Sequence, residues 1–462
     1  MLLINCSNAN SNDGIEPEGQ PTIELKTPEK IPQLMDDFGV SGLAVTAVSG
    51  DEVLLAQGYG TTQDGEAFTS STRCGLFSAT KVLASLTYAK LENTGLLRLD
   101  EPLGSYLPDA PEEWRSIPLY RLLNHSSGIT MVVNKQGFEA LGSDPDATNK
   151  SVYEIIRKEP LEHEPGAYSR YRQSGYAVGE VILEEKLNKD FSALVSKHIS
   201  EPAGLTSTSH PTVTDERQPA ILLSAGGYET TVDDLSQLLK GINSGAIISP
   251  TVWKDLLLQD RYRFGDYSLG SVIEERGDVL TVGHSGGGAR ANIRYAPDEG
   301  VGVMICTDDQ SNNSLAISLA RMLIHEMTTG EMPGMPLWSA LAGYSEMTGG
   351  QVIAAFKRAK SEGAKYDFSD AEAVFNQIGY AFLSQGQAAN AIEVLAFNVE
   401  SFPDSPNAHD SLGEAFLTAG DMDAALARYR HVLTLDPGNA NATKMIAGIE
   451  RRLNETKDAE EI

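Results

Sequence analysis

The sequence is poor in basic residues and in long apolar runs, and each shortage excludes a class of protein. Of its 462 residues, 36 are Lys or Arg and 64 are Asp or Glu, which gives a formal net charge of −28. Such an acidic excess argues against binding nucleic acid through phosphate contacts and against docking on anionic lipid. No stretch reaches the roughly 18 apolar residues of a membrane-spanning helix.

Cysteine is scarce as well, and histidine lacks a metal-binding pattern. The three cysteines, Cys6, Cys74 and Cys306, show no Cys-x-x-Cys spacing, and the eight histidines include no His-x-x-x-His pair. These patterns predict neither a zinc ribbon nor a disulfide scaffold, and we expect no metal and no cofactor. A disulfide between Cys74 and Cys306 is a possible alternative, but we expect both residues to be buried free thiols.

The length and composition indicate a globular protein of more than one domain. Hydrophobic residues make up 41% of the chain and charged residues 22%, and 462 residues exceed what one compact core usually holds. We predict five segments: a flexible start (1–25), a first domain (26–330), a linker rich in Pro and Gly (331–350), a helical domain (351–453) and a disordered charged tail (454–462).

The first residues resemble the end of a bacterial lipoprotein signal. A short apolar run precedes Cys6 and a polar tether follows it, although Asn5 departs from the small residue that usually stands before such a cysteine. Contact with a membrane is therefore expected only if Cys6 carries a lipid. The alternative is a disordered start.

The sequence pattern of the first domain predicts an antiparallel sheet between helices. Helical patterning over residues 28–38 precedes a hairpin at 43–60, and two strands at 291–295 and 301–307 precede a helix at 315–327. The middle of the domain is mainly helical. The fold class is thus α/β of the α+β type: an antiparallel sheet flanked by helices with an all-helical subdomain, followed by a small all-α repeat domain. The cleft should lie between the sheet and the helical subdomain.

The last hundred residues contain a repeat. Ile378 to Leu383 and Leu412 to Leu417 are offset by 34 residues, and the same offset relates Pro403 to Pro437. A 34-residue period with small and aromatic positions resembles the tetratricopeptide repeat. This resemblance implies stacked helix pairs that can bind a protein partner.

Ser78 and Lys81 are the first candidates for chemistry. They stand three residues apart, in the only Ser-x-x-Lys of the chain, at the start of an apolar helix that ends near Gly95. This spacing puts both side chains on one face, where a lysine of lowered pKa can take the serine proton. The alternative is a helix N-cap serine followed by a solvated lysine.

A second candidate group surrounds Tyr171 and Gln173. A tyrosine close to a lysine amine can relay a proton to a leaving group. The alternative is a tyrosine that packs against its neighbours and takes no part in chemistry.

A third group is formed by His284, Ser285, Gly286 and Gly287. These residues also match Gly-x-Ser-x-Gly, so Ser285 is a rival nucleophile, but that motif requires a helix next and strand patterning follows instead. We expect an edge strand whose glycines let a substrate approach, with the Gly287 amide facing the cleft.

Taken in order, these motifs resemble a known superfamily over residues 28–330. The motifs are Ser78-x-x-Lys81, Asn124 to Gly128, Tyr171-x-Gln173, Gly226-Gly227 and His284 to Gly287. They are similar to those of serine β-lactamases and penicillin-binding proteins, and most of all to the class C-like branch of esterases, D-aminopeptidases and D-alanyl carboxypeptidases. Gln173 replaces the usual asparagine, and His284 stands where many relatives have lysine.

The resemblance implies a role for each residue. Ser78 would be acylated, Lys81 would be its general base, and Tyr171 would protonate the leaving group, with Tyr168 as a second candidate for that tyrosine. The amides of Ser78 and Gly287 would form the oxyanion hole, and Gln173, His284, Ser285 and Gly286 would bind substrate.

The expected function is that of a serine hydrolase acting on a small ester or peptide in the periplasm or outside the cell. One alternative is a peptidoglycan D,D-carboxypeptidase that captures penicillin. The other is a non-catalytic binding protein whose repeats recruit a protein partner.

Overall fold

The computed structural model describes residues 24–131, 140–141, 144, 146–211, 220–307 and 314–460. Cys6 and almost all of the predicted flexible start lie outside these residues, so the structure does not bear on lipidation. Residues 132–139, 142–143 and 145, in the middle of the first domain, lie outside them as well.

One antiparallel sheet of eight strands forms the centre of the first domain, in the spatial order β2-β1-β10-β9-β8-β7-β6-β5. Two further pairs of short strands, β3 with β4 and β11 with β12, lie outside it. The strands are β1 (Gly42–Ser49), β2 (Glu52–Gly60), β3 (Cys74–Gly75), β4 (Glu229–Thr230), β5 (Arg263–Phe264), β6 (Tyr267–Ser268), β7 (Ser271–Arg276), β8 (Val279–Gly286), β9 (Ala291–Ala296), β10 (Val301–Thr307), β11 (Met335–Pro336) and β12 (Tyr366–Asp367).

Helices cover the sheet and make up most of the carboxyl-terminal region. They are α1 (Ile31–Phe38), α2 (Lys81–Asn93), α3 (Leu103–Tyr106), α4 (Tyr120–Leu123), α5 (Asn149–Ile156), α6 (Ser174–Leu187), α7 (Phe191–Val195), α8 (Glu201–Ala203), α9 (Leu223–Gly226), α10 (Val232–Asn243), α11 (Pro250–Leu257), α12 (Leu315–Thr329), α13 (Leu337–Ala340), α14 (Gly349–Ser361), α15 (Ala371–Ser384), α16 (Ala388–Ser401), α17 (Pro406–Thr418), α18 (Met422–Leu435) and α19 (Ala440–Glu460).

The alternation of side chains along β1 explains the two layers of the core. Leu43, Val45 and Ala47 pack with α1 and α12 on one face of the sheet. Ala44 and Val48 face the opposite way and join the larger core, which includes α2, α6 and α10. Both faces are therefore buried, which agrees with the largely apolar sequence of β1. The predicted architecture is confirmed: an antiparallel sheet is flanked by the terminal helices, and a helical subdomain lies beside it.

The structure corrects the expectation for the cysteines. Cys74 and Cys306 form a disulfide, with their Cα atoms 6.4 Å apart, so the favoured prediction of buried thiols was wrong. The two cysteines are 232 residues apart in the chain, and β3 meets the end of β10 only in the folded protein. The bridge fastens the strand just before Ser78 to a central strand of the sheet.

The linker and the helical region both pack against the first domain. The ring of Trp338 stacks on that of Phe38 with 5.8 Å between centroids, and Arg276 of β7 pairs with Asp370 at 2.6 Å. The helical region that follows has α16 and α18 beginning 34 residues apart. Its last helix, α19, extends to Glu460.

Within the described part of the chain, no helix is both long and apolar enough to cross a lipid bilayer.

We expect loss of the disulfide to destabilise the first domain. Replacing Cys74 and Cys306 together by alanine frees the unfolded chain from a long closed loop, and losses of this kind are typically about 2–4 kcal/mol. The free energy of unfolding of the double variant, measured by urea denaturation, should be lower than that of the wild type by about this amount. Added reductant should lower the wild-type value and leave that of the variant unchanged. Cys6→Ser is the matched control, because it leaves the pair intact. If added reductant did not change the urea midpoint of the wild type, the disulfide would be contradicted.

Candidate active site

Ser78 lies in a single tight turn at the entrance to α2. The turn is a 3-10 helix, Phe77–Thr80, and it runs directly into α2 at Lys81. Phe77 has a φ of 47°, a left-handed conformation that is energetically costly for a bulky residue. Residues in such strained conformations are found most often at functional sites. Just before the turn, the Leu76 amide donates to the Tyr228 carbonyl at 2.8 Å. The serine is thus presented by strained backbone that is fastened on both sides.

Lys81 is buried among neutral partners. Its side chain has no exposed surface, and Nζ donates to Gln173 Oε1 at 2.9 Å and to the Ala225 carbonyl at 2.5 Å. The rings of Tyr171 and Tyr176 lie 4.9 and 4.8 Å away. Burial holds the pKa of Lys81 well below its ordinary value, because desolvation disfavours the ammonium. The alternative of a solvated lysine is wrong.

The Ala225 carbonyl is itself held in place by a buried carboxyl group. Glu180 of α6 is fully buried and accepts from the Ser224 amide at 2.7 Å and from the Asn149 side chain at 2.8 Å. Burial raises the pKa of Glu180 to about 7. The Gly226-Gly227 turn singled out in the sequence follows directly, and Gly226 packs against the backbone of Phe77.

Tyr171 and Gln173 connect the serine to the lysine. The Tyr171 hydroxyl lies beside Ser78 and the side chain of Gln173, which both act to lower its pKa, and Gln173 accepts from Lys81. Burial raises the pKa of Tyr171, against the effect of those two side chains, so its phenol is protonated at neutral pH. The tyrosine is 39% exposed, so it is accessible from solvent. Ser78, Tyr171, Gln173 and Lys81 thus form one continuous chain of polar groups.

Tyr168, the second candidate for the catalytic tyrosine, lies elsewhere. Its ring packs on His163 with 4.0 Å between centroids, and the Arg170 guanidinium lies 5.6 Å from it. The structure brings Tyr171 to Ser78 and Lys81, and it places Tyr168 with a different set of side chains.

The end of β8 lies directly against the nucleophile turn. A Cβ at Gly286 would come within 2.1 Å of the Leu76 carbonyl and 2.9 Å of the Ser78 amide, and one at Gly287, whose φ is 59°, would meet the Phe77 ring at 2.5 Å. Only glycine fits these two positions. This close approach brings the backbone of Gly287 beside Ser78.

The predicted edge strand is only partly correct. β8 lies between β7 and β9: Val279–Gly283 pair with β7, residues 282–286 pair with β9, and the last three residues of the strand therefore pair with β9 alone. After β8 the chain turns into strand β9 rather than a helix. Ser285 therefore does not stand on the turn that a Gly-x-Ser-x-Gly nucleophile requires.

His284 is buried, with 6% of its surface exposed, and both ring nitrogens have partners. Nδ1 lies against the Ser285 carbonyl, and Nε2 is 2.5 Å from the Tyr267 hydroxyl. Burial and the charge of Lys81 lower its pKa to about 3. The imidazole is accordingly neutral at physiological pH.

Three groups beside the site were not predicted from the sequence: His125, Tyr267 and the Ala225 carbonyl. His125 has a φ of 61° and packs between Tyr171 and Tyr267, with centroids 4.4 and 4.6 Å away. Its position in the Asn124 to Gly128 motif was a usable signal. Tyr267 belongs to no motif, and a backbone carbonyl carries no sequence signal at all.

Within the described part of the chain, no group of three or more side chains is arranged to hold a metal ion.

Comparison with known proteins identifies the family. The model of the Beta-lactamase family matches residues 28–324, more than half of the chain. This protein belongs to the beta-lactamase family. Members of the family are serine hydrolases, and the matched residues contain Ser78, Lys81, Tyr171 and His284.

Relatives within the beta-lactamase family are distant. A Bacillus subtilis protein provisionally named penicillin-binding protein PbpX is 28% identical over 216 residues, which are 46% of this chain and 52% of that protein. The chain thus spans about half the length of the curated relatives it matches.

Two solved structures share the beta-lactamase fold. An octameric penicillin-binding protein homologue from Pyrococcus abyssi is 21% identical, with a TM-score of 0.55 over 66% of this chain and 77% of its own. The D-amino acid amidase of Ochrobactrum anthropi is 18% identical, with a TM-score of 0.56 over 66% of this chain and all of its own. At these identities the likeness concerns the fold alone.

The position of Tyr171 predicts a large effect of its hydroxyl group on turnover. Tyr171→Phe should lower kcat for an ester substrate by roughly 100- to 10,000-fold, because positioned acid–base groups contribute on that order. Tyr168→Phe is the matched control and should stay near wild type. Steady-state kinetics on both variants checks this. If Tyr168→Phe lost the activity and Tyr171→Phe kept it, the assignment would be reversed.

Proposed function

We propose that this protein is a serine hydrolase that forms an acyl-enzyme on Ser78 and cleaves an ester or an amide. The observation that carries the proposal is the chain of polar groups from Ser78 through Tyr171 and Gln173 to a buried Lys81. A fully buried lysine with neutral partners has little structural value. It suits a base that must be uncharged when substrate arrives.

The two pKa shifts assign the roles within this chain of groups. Lys81 has a lowered pKa and Tyr171 a raised one, so near neutral pH the amine is the better proton acceptor and the phenol is a proton donor. Lys81 takes the Ser78 proton while Oγ forms a bond to the substrate carbonyl carbon. The bond to the leaving group then breaks, and Tyr171 supplies the proton that the leaving group needs.

The oxyanion that forms in between requires hydrogen-bond donors. The backbone amides of Ser78 and Gly287 are the candidates, and the close packing of Gly286 and Gly287 on the Phe77–Thr80 turn supports this assignment. Hydrolysis of the acyl-enzyme uses the same groups in reverse, with water in place of the leaving group. Gln173, Ser285 and His284 line the substrate side.

Among substrates, we favour an ester or a D-amino acid derivative of the kind cleaved by the class C-like branch. The similarity in fold to a D-amino acid amidase supports an amide of that type. The second candidate is a peptidoglycan D,D-carboxypeptidase, supported by the names of the penicillin-binding relatives. It predicts covalent capture of penicillin.

We place the enzyme outside the cytoplasm, in the periplasm or the extracellular space. The disulfide between Cys74 and Cys306 supports an oxidising compartment. Attachment to a membrane would require a lipid on Cys6.

For the helical region we propose a tetratricopeptide-like module over residues 351–453 that binds a protein partner, with residues 26–330 as the catalytic domain. The 34-residue spacing of α16 and α18 supports this.

Covalent labelling tests the proposal directly. Intact mass after treatment with a fluorophosphonate should show one adduct on the wild type and on Ser285→Ala, and none on Ser78→Ala. Hydrolysis of a short-chain p-nitrophenyl ester should fall at least about 1000-fold in Ser78→Ala, as expected when a catalytic nucleophile is removed.

Penicillin added in place of the fluorophosphonate separates the two candidates. A stable penicillin adduct on Ser78 would favour the D,D-carboxypeptidase. Absence of any adduct and of any turnover would refute the hydrolase and favour a binding protein.

A further inference from the structure

Glu180 of α6 is a fully buried carboxyl group whose hydrogen-bond donors are all neutral. One oxygen, Oε1, accepts from the Ser224 amide at 2.7 Å and from the Ser224 hydroxyl at 2.5 Å. The other, Oε2, accepts from the side chain of Asn149 at 2.8 Å. A buried carboxylate is costly unless donors surround it, and here three donors converge on one group.

Among the described residues, the titratable groups that act on Glu180 or respond to its charge are acids and phenols. They are Glu184 on the same helix, Tyr88 on α2, Tyr228 before β4, and Asp190 before α7, which acts on Glu184 and Tyr228. Burial raises the pKa of Glu180 to about 7, with the charge of Glu184 adding to the rise and the three donors opposing it. The carboxyl group therefore changes its charge within the pH range in which enzymes commonly work.

Glu180 and Asn149 together anchor one short segment of backbone. The side-chain nitrogen of Asn149 donates to Glu180, and its Oδ1 accepts from the Leu222 amide at 3.0 Å. Leu222 has a φ of 56°, a conformation that is costly for a bulky side chain. Ser224, two residues further on, is held by Glu180 itself. The two anchors share the Asn149 side chain, so a change at one affects the other.

The anchored segment contacts both the base and the nucleophile turn. The carbonyl of Ala225 accepts from Lys81 Nζ at 2.5 Å. Gly226 lies so close to the turn that a Cβ there would be 3.6 Å from the Ser78 amide. Ala225 and Gly226 directly follow Ser224 in the chain. The hold of Glu180 on Ser224 therefore decides how firmly an acceptor of Lys81 is positioned.

The strength of that hold depends on the charge of Glu180. A carboxylate accepts all three hydrogen bonds, and hydrogen bonds to an ionised acceptor are roughly twice as strong as neutral ones. A proton on Oε2 would point at the Asn149 donor, and a proton on Oε1 would require the Ser224 hydroxyl to turn its own proton away. Each alternative removes or weakens a bond to the anchored segment. Protonated Glu180 thus holds the Ala225 carbonyl less firmly.

We propose that Glu180 is a positioning residue that holds the acceptor of Lys81 firmly only as a carboxylate, so that the enzyme gains activity as Glu180 loses its proton. The inference rests on the hydrolase activity proposed above and adds a control by pH to the same site. It also predicts a conflict between activity and stability, because the active form must keep a charge in the protein interior.

The conflict follows from the direction of the pKa shift. The pKa of Glu180 in the folded protein is about 7, above the value of about 4.3 for an exposed glutamate. Between these values the folded protein retains a proton that the unfolded chain has released. The free energy of unfolding therefore falls as pH rises through this interval. Activity should rise over the upper part of the same interval.

The pH dependence of turnover tests the proposal. With p-nitrophenyl acetate from about pH 5 to about pH 9, and spontaneous hydrolysis subtracted, the wild-type kcat should rise about tenfold through a midpoint of about 7. Glu180→Gln should lose this rise and keep the low kcat with KM little changed, because its side chain cannot ionise. A rise caused by Lys81 alone would persist in the variant. If the pH profile has the same shape in Glu180→Gln and the wild type, the proposal is overturned, whatever the level of kcat.

Glu184→Gln is the matched control. Glu184 also accepts from the Asn149 side chain, at 2.9 Å, but the hydrogen bonds from Ser224 belong to Glu180. This variant should keep the rise in kcat. Its midpoint should move to lower pH, because the charge of Glu184 helps to raise the pKa of Glu180. Loss of the rise in Glu184→Gln overturns the assignment to Glu180.

Two measurements of the charge itself do not depend on turnover. In protein labelled with ¹³C at glutamate Cδ, the Glu180 signal, assigned with Glu180→Gln, should titrate with a midpoint of about 7. The urea midpoint of the wild type relative to that of Glu180→Gln should fall between about pH 5 and about pH 8. A Glu180 signal that titrates at the ordinary value of about 4.3, or a urea difference that does not change with pH, overturns the proposal.

Ser224→Ala decides the outcome if Glu180→Gln does not fold, and Glu180→Asp then serves for the assignment of the signal. Ser224→Ala removes the hydroxyl donor and keeps the amide donor. The midpoint of the Glu180 signal and that of kcat should therefore move together to higher pH. Midpoints that move independently overturn the proposal.

Failure of the hydrolase itself gives a different result. Absence of turnover and of any fluorophosphonate adduct at every pH refutes the hydrolase. Turnover with an unaltered pH profile in Glu180→Gln refutes only the role of Glu180.

Discussion

Burial of the Lys81 ammonium group among neutral oxygens and aromatic rings is the constraint on which the site depends. A charged lysine in such a place costs free energy, and the protein lowers that cost by lowering the pKa of the amine. The surrounding groups are fixed in turn. Glu180 holds the segment that presents the Ala225 carbonyl, and Gln173 reaches from the start of α6 to both Lys81 and Tyr171. An opposite charge beside Lys81 would restore the ordinary pKa and remove the base.

The fold supplies the second requirement, a close approach of two backbones. The β8 strand can lie against the nucleophile turn only because Gly286 and Gly287 have no side chains. The turn in turn keeps a strained Phe77, and it is fastened by the disulfide at Cys74 just before it. Strained backbone of this kind persists where the surroundings determine it fully. The sheet, the bridge and α2 together provide those surroundings.

Much of this arrangement could be predicted from local patterns. The apolar periodicity at 315–327 and the alternating strands at 291–307 were sufficient for the sheet between terminal helices. The Ser78-x-x-Lys81 spacing was sufficient to single out Lys81 as the candidate base, because residues three apart on a helix lie on the same face. Short strands such as β5 and β6, of two residues each, carry no such periodicity and were missed.

What could not be predicted depends on contacts between distant parts of the chain. Cys74 and Cys306 are 232 residues apart in the chain, so nothing in the local sequence indicated that they form a disulfide. Tyr267 reaches His284 because β6, β7 and β8 are neighbours in the sheet, and nothing in the sequence near residue 267 marks that contact. The last helix was predicted to end at residue 453 because the charged residues beyond it suggested disorder, and α19 extends to Glu460.

The most direct test of this account is the titration of Lys81 itself. Protein labelled with ¹³C at lysine Cε, with the signal assigned by comparison with Lys81→Met, gives the pKa from the shift of that resonance with pH. The account predicts a midpoint well below the ordinary lysine value of about 10.4, since burial without a carboxylate disfavours the charge. A midpoint at or above the ordinary value would show that Lys81 stays an ammonium at working pH, and it could not be the base that activates Ser78.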